Sequence, residues 1–218
     1  MTTTELLQHS RDELDDISGA DSVRFWRDTE LLGYLREAQN DFCKRTLCLV
    51  SSIDDALCLI PLVSGKRDYP YSSRILRIDS VQPSWFNNPL GDAKGFRNLS
   101  PQWRSRIGRP NFWCADYESG YISLDGALTA TSGESLRLTV RRLPVMLTLL
   151  QNPEIREEYQ ELLRLYVNYR AYAKQDSEVY NPQKSLTEKK LWDEAVERAK
   201  GELARLQPRI IVARSCDI

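Results

Sequence analysis

Apolar positions recur at helical spacing first after Asp28, where Leu31, Tyr34, Leu35, Ala38 and Phe42 follow one another on one face. Asp28 is a good N-cap, so this spacing predicts a helix from Asp28 to about Leu49. From Ile53 to Leu150 the period shortens. ALCLIPL predicts a buried strand stopped by Pro61, RILRIDSV predicts a second, and YISLDGAL predicts a strand that runs into an Asp-Gly turn. In SLRLTVRRLP, Leu136, Leu138 and Val140 alternate with Arg137, Thr139 and Arg141, the pattern of a half-exposed antiparallel strand.

Helical spacing returns at the end of the chain. Asn152 and Pro153 read as the cap and first position of a helix whose stripe is Ile155, Tyr159, Leu162, Tyr166, Tyr169 and Ala173. Ser185 to Glu188 reads as a capping box opening a second helix, with Leu191, Trp192, Ala195, Ala199, Leu203 and Leu206 on one side and Pro208 ending it.

The remainder divides into arms and one long connection. Residues 1–27 are rich in Thr, Ser and acids, with Leu6, Leu7, Leu14 and Ile17 at helical spacing; we read a flexible acidic arm or a loosely docked helix. Residues 82–111 carry four prolines, three glycines and the aromatics Trp85, Phe86, Phe96 and Trp103, too aromatic for simple disorder. Residues 207–218 end in an apolar, β-prone run. The expected fold class is α+β: a three-helix bundle from 28–52 and 151–206, an inserted antiparallel β module at 53–150 with its long loop at 82–111, and extended N- and C-terminal arms.

Composition narrows the chemistry. The 218 residues are 41% hydrophobic and 28% charged, a globular balance. Thirty basic against 31 acidic side chains leave a formal charge of −1, so total charge predicts neither nucleic-acid wrapping nor membrane adsorption. No apolar run approaches the roughly 18–20 residues of a membrane span, and the N-terminus lacks the basic and apolar blocks of a signal peptide. Five cysteines form no CxxC pair and read as reduced thiols; Cys43 and Cys48 read as small hydrophobes.

Catalytic patterns are scarce. The single histidine, His9, lies in the acidic arm, which excludes a His-rich metal site and makes a triad untenable. Gly65-Lys66-Arg67 is a turn, without the helix N-terminus that would hold phosphate. The adjacent acids Asp15-Asp16 and Asp54-Asp55 read as caps or solvated turns. No metal, cofactor or catalytic residue is expected.

One local imbalance stands out. Residues 66–109 hold nine basic side chains against three acids, an excess of six, interleaved with Trp85, Phe86 and Trp103. Lys94, Arg97, Arg104, Arg106 and Arg109 are therefore candidates for contact with DNA in a channel or with an acidic surface. A monomeric accessory protein that binds nucleic acid non-specifically through this segment is the alternative reading. The bland reading is a solvated loop face. A carboxylate-dependent hydrolase has no positive support.

FWRDTELLGYLREAQNDFCKRT, then RPNFWCADYESGYISLDGAL and LRLTVRRLPVML, then NPEIREEYQELLRLYVNYRAYAKQDSEVYNP resemble, in that order, the opening helix, the following strand pair and the late helix of head-to-tail adaptor (connector) proteins of tailed bacteriophages. The resemblance covers most of residues 25–206. It implies a structural protein of the virion neck, assembled in the host cytoplasm, with no covalent chemistry and no membrane partner. It further implies a homo-oligomeric ring, twelve-fold, that joins the portal to tail or neck proteins and lets packaged double-stranded DNA pass during packaging and ejection. Trp85, Phe86 and Trp103 are then candidates for contact between subunits or with a tail component, and Arg209, Ile210, Ile211 and Val212 for docking on the portal as an added strand or wedge.

Overall fold

A computed structural model describes residues 1–16, 25–93, 102–129, 133–175 and 180–206. The fold is mixed α+β, with several helices and two small sheets. The chain divides into a helical unit, Met1–Cys48 with Pro144–Ile218, and a β unit, Leu49–Leu143. The junctions fall earlier than the sequence pattern placed them, so residues 144–150 belong to the helical unit.

The helical unit opens with α1 (Thr3–Glu13). A capping box starts it: Glu5 N–H donates to the Thr2 hydroxyl at 3.1 Å, and Thr2 N–H donates to the Glu5 carboxylate at 2.8 Å. Leu6, Leu7 and Leu14 are buried, so of the two expectations for this segment, a flexible acidic arm or a loosely docked helix, residues Thr3–Glu13 follow the helix. The acids have a local task that composition conceals. Arg11 is itself buried; it pairs with Asp16, donates to Asp28 at 2.6 Å and donates to the Trp26 carbonyl at 3.0 Å. Asp28 is thereby used inside the first turn of α2 (Asp28–Thr46), and the N-cap position is Arg27, correcting the assignment of Asp28 as cap. Leu31, Leu35, Ala38 and Phe42 form the buried stripe of α2 as the spacing predicts. The helix stops at Leu47, whose left-handed backbone (φ 53°) lets its N–H reach the Cys43 carbonyl at 2.9 Å.

In the β unit, Ala56 to Cys58 are not strand. They form the short helix α3 (Asp55–Cys58), capped by Asp54, which accepts from Ala56 N–H at 3.1 Å. Strand β8 (Ser135–Arg142) pairs antiparallel with β1 (Val50–Ser51), β2 (Leu59–Pro61) and the long β4 (Ile75–Pro83). The second sheet runs β3 (Asp68–Pro70), β7 (Tyr121–Leu124), β6 (Phe112–Ala115), β5 (Gly91–Asp92), antiparallel except for the short parallel β5 and β6 pair. Leu136, Leu138 and Val140 face a core shared with Val81, Ile122, Leu124 and Trp113.

The late helices start elsewhere than predicted. Residues 151–156 are irregular, and helix begins only at α4 (Glu157–Gln160) and α5 (Leu163–Tyr172). The buried Gln160 amide explains the break: it donates to the Pro153 and Ile155 carbonyls at 3.2 and 3.0 Å. Those carbonyls then need no helical partner. The long α6 (Pro182–Leu206) starts at Asn181, whose side chain accepts from Lys184 N–H at 3.0 Å. Ser185 is no cap. It is buried one turn inside and donates to the Tyr169 carbonyl at 3.1 Å.

Helices α2, α5 and α6 pack on one another, and α1 packs on α2 and α5, so the unit is more than the three rods expected. Phe42 sits between Tyr159 and Trp192, with ring centroids 5.6 and 6.3 Å apart, and Trp192 donates to Asp41 at 3.0 Å. Of the two cysteines read as buried small hydrophobes, Cys43 is buried and Cys48 half-buried, and their sulfurs lie 3.8 Å apart.

Candidate functional site

The basic, aromatic segment of the β unit is the natural candidate, and its charges are largely engaged inside the unit. Arg67 leaves β3's approach and donates to two main-chain carbonyls, Trp103 at 2.7 Å and Arg106 at 2.6 Å. Those bonds pin the turn at Trp103–Ser105 from one side. From the other, Arg106 pairs with Asp125. Asp125, in the Asp-Gly turn that the sequence predicts after its strand, is buried and accepts from the N–H groups of Asn111 at 2.8 Å and Phe112 at 3.0 Å. Gly126 beside it is required by close approach: a Cβ there would meet the Gly108 carbonyl oxygen at 2.8 Å.

Two aromatic groups emerge. Trp103 stacks edge-on against Tyr117 with centroids 5.8 Å apart, and the Arg104 guanidinium lies 5.3 Å from each ring while donating to the Tyr117 hydroxyl at 2.6 Å. Separately, Trp85 packs partly into the core with the Arg109 guanidinium 5.6 Å over its ring. Arg109 also donates to Glu134 at 2.7 Å. Trp85, Phe86, Pro89, Leu90, Arg109 and Pro110 line a cleft of about 300 Å³, and Phe86, 56% exposed, is its projecting wall.

Of the predicted residues, then, Trp85, Phe86 and Arg109 come together, Trp103 and Arg104 form a second cluster with Tyr117, and Arg106 is a strut. Lys94 and Arg97 lie outside the described residues, as do Arg209, Ile210, Ile211 and Val212. Two further cations of the segment follow the same rule: Arg77 pairs with Asp79 at 2.8 Å, and Lys66 lies 5.2 Å over the Tyr69 ring. The excess of six therefore overstates the charge offered to solvent, because Asp125 and Glu134, just past the window, answer Arg106 and Arg109. Sequence reading missed Tyr117, Asp125 and Glu134. A signal existed only for Asp125, an acid followed by Gly after an apolar strand, and it pointed to a turn.

Burial raises the Tyr69 phenol, and burial followed by the Asp116 carboxylate raises Tyr71, so both stay protonated at neutral pH. Among the described residues no group of three His, Cys, Asp or Glu side chains could hold a metal ion. What the arrangement offers is a stiffly held apolar and aromatic surface. No helix among the described residues is long and apolar enough to cross a membrane.

A comparison with curated proteins gives no match. The family model described as "SU10 adaptor protein" matches residues 1–213, and so spans both units. That match, laid over the same order of helix, strand pair and late helices, makes the chain a member of the SU10 adaptor protein family, a family of phage head-to-tail adaptors.

Proposed function

We infer that this protein is a virion structural protein of the phage neck, an adaptor that binds further copies of itself, the portal and a tail component, and carries out no covalent chemistry. The observation that carries the reading is the family match across residues 1–213. In this reading twelve copies close into a ring beneath the portal. A cyclic ring needs two different complementary patches at a fixed angle on each subunit, which favours stiff surfaces. Helices α2, α5 and α6 present outward edges to neighbours. The Trp85 and Phe86 cleft and the Trp103 cluster meet a neighbouring subunit or a tail component. Residues 209–212 dock on the portal. A nearly neutral total charge suits a channel through which DNA slides without adhering.

Against the nucleic-acid-binding alternative stands the engagement of Arg67, Arg106 and Arg109 with carbonyls or carboxylates of their own unit. The deciding experiment mixes the purified protein with portal rings and measures particle mass and shape by native mass spectrometry and negative-stain imaging. The expected result is a stacked annulus on one face of the portal. A protein that remains monomeric at high concentration and leaves the portal bare removes the reading.

A further inference from the structure

Two cysteines of the helical unit form a pair that the adaptor role does not use. Cys43 lies in the last turn of α2 and is fully buried, whereas Cys48, two residues past the helix, is half-buried. A continuing helix would turn these two positions to different faces and carry them apart. The left-handed backbone of Leu47 folds the chain back instead, with its N–H on the Cys43 carbonyl at 2.9 Å. The residue after the cap is thereby laid over the residue that accepts the cap bond, and the two sulfurs come into contact at 3.8 Å. The Thr46 hydroxyl closes the same turn by donating to the Phe42 carbonyl at 2.7 Å.

Packing at such a helix end is served by any two apolar side chains. What two thiols add is chemistry. Other cysteines of the chain meet oxygen instead: the Cys58 sulfur lies 3.7 Å from the Ser51 hydroxyl and the Cys114 sulfur 3.4 Å from the Ala115 carbonyl.

We propose that Cys43 and Cys48 are a covalent modification site, closing into an intramolecular disulfide when the protein meets a low-molecular-weight disulfide such as oxidised glutathione. Burial sets the order of events. Cys48, the more accessible, gives up its proton and attacks the sulfur–sulfur bond of the oxidant; one half stays on Cys48 as a mixed disulfide, and the other leaves as a thiolate that takes up a proton. Cys43 then gives up its proton and attacks the Cys48 sulfur, and the second small thiol departs protonated. The two cysteine sulfurs lose two electrons in all, and one small disulfide is reduced to two thiols. Their separation closes from 3.8 Å to about 2.05 Å. The negative end of a helix disfavours a thiolate, so neither cysteine is tuned for turnover, and the pair suits a single closure rather than repeated redox exchange. The reaction does not rest on the adaptor reading, but its use does: the pair stays reduced where the particle is built and fastens the end of α2 once the virion enters an oxidising medium.

The test uses the full chain, natively folded and without portal. It is incubated with oxidised glutathione, denatured in iodoacetamide and digested with trypsin, which cuts after Lys44 and Arg45, between the two cysteines. The expected product is a pair of peptides joined through Cys43 and Cys48 that separate on reduction, found by mass spectrometry, with alkylation of both lowered roughly tenfold. Glutathione that persists on Cys48, or two cysteines that stay open to alkylation, overturns the proposal. Cys48→Ser removes the entry thiol with little change of shape, and Cys43 should then lose its alkylation roughly tenfold more slowly than in the unaltered chain. An equal rate shows that Cys43 reacts without Cys48 and likewise overturns the proposal. Because no portal is present, failure here leaves the ring assay standing, and failure of the ring assay leaves this result standing.

Discussion

In the helical unit several charged side chains join one helix to the next, whereas in the β unit several hold loops through main-chain groups. Arg45 of α2 reaches Asp193 and Glu197 of α6 at 2.6 and 3.1 Å, Arg170 of α5 reaches Glu37 of α2 at 2.5 Å, and Lys174 after α5 reaches Glu30 at 2.9 Å. These pairs sit at the solvent edge of an aromatic core. In the β unit Arg67 holds two carbonyls, Arg137 donates to the Ser52 carbonyl at 3.1 Å, and Asp125 takes two N–H groups. The helical pairs trim an interface that apolar packing has already fixed. The β-unit bonds replace packing that short, Pro-rich loops do not supply.

The sharpest way to break this contrast is to delete from each layer of the helical unit. Trp192→Ala removes a fully buried ring against Phe42 and Tyr166 and is expected to cost ~3–5 kcal/mol in denaturant unfolding. Arg45→Ala, which loses only half-exposed pairs, is expected to cost about 1 kcal/mol or less. Equal costs would show that the pairs, not the rings, hold the helices together.

The next largest effect lies in the β unit. Asp125→Ala strands two main-chain donors and the Arg106 guanidinium, and should cost ~3 kcal/mol. Asp125→Asn keeps an acceptor for Asn111 and Phe112, and about half of that loss should return. Denaturant unfolding followed by the tryptophan signal measures both. If alanine and asparagine are equally damaging, the main-chain bonds are not what Asp125 contributes.

The same contrast explains what could be read in advance. Strands β4 and β8 and helix α2 were legible because one face is buried over many residues, which writes a period into the sequence. The starts of α4 and α6 were not. Asn152-Pro153 and Asn181-Pro182 are the same dipeptide, and only the second begins a helix, because the distant Gln160 amide claims the carbonyls that follow the first. Helix α1 was half legible for a related reason: the spacing of Leu6 and Leu7 admitted a docked helix, while the acids that suggested a solvated arm neutralise the buried Arg11. In the candidate site the residue types were visible, since Trp85, Phe86 and Arg109 do line one cleft. Their electrostatics were not, because Asp125 and Glu134 come from sequence neighbours that only pairing of β6 with β7 and the β8 approach bring near.

The smallest effect tests whether the charge on Glu188 is more than an edge contact. Glu188 on α6 is partly buried, its Oε2 has no hydrogen-bond partner, and its carboxyl is pushed above the ordinary 4.5 by burial and then by Glu13 of α1, against the opposing pull of Arg164 of α5 and Lys184 of α6. A carboxyl whose folded pKa is raised binds its proton more tightly when folded, so its ionised form opposes folding above that pKa. The penalty fades as pH falls through the raised value and is gone below 4.5. Glu30 has the opposite sign. Burial there is outweighed by bonds from Lys174 and Tyr34, and the stability it contributes is lost as pH falls below its ordinary range. Glu188→Gln is neutral at every pH and should therefore raise the melting midpoint by about 1–2 °C at pH 7, with the gain shrinking to nothing near pH 4. Melting curves at the two pH values separate the causes: a gain of equal size at both would assign the effect to the new amide's hydrogen bonds, and leave the charge on Glu188 as one more solvated contact.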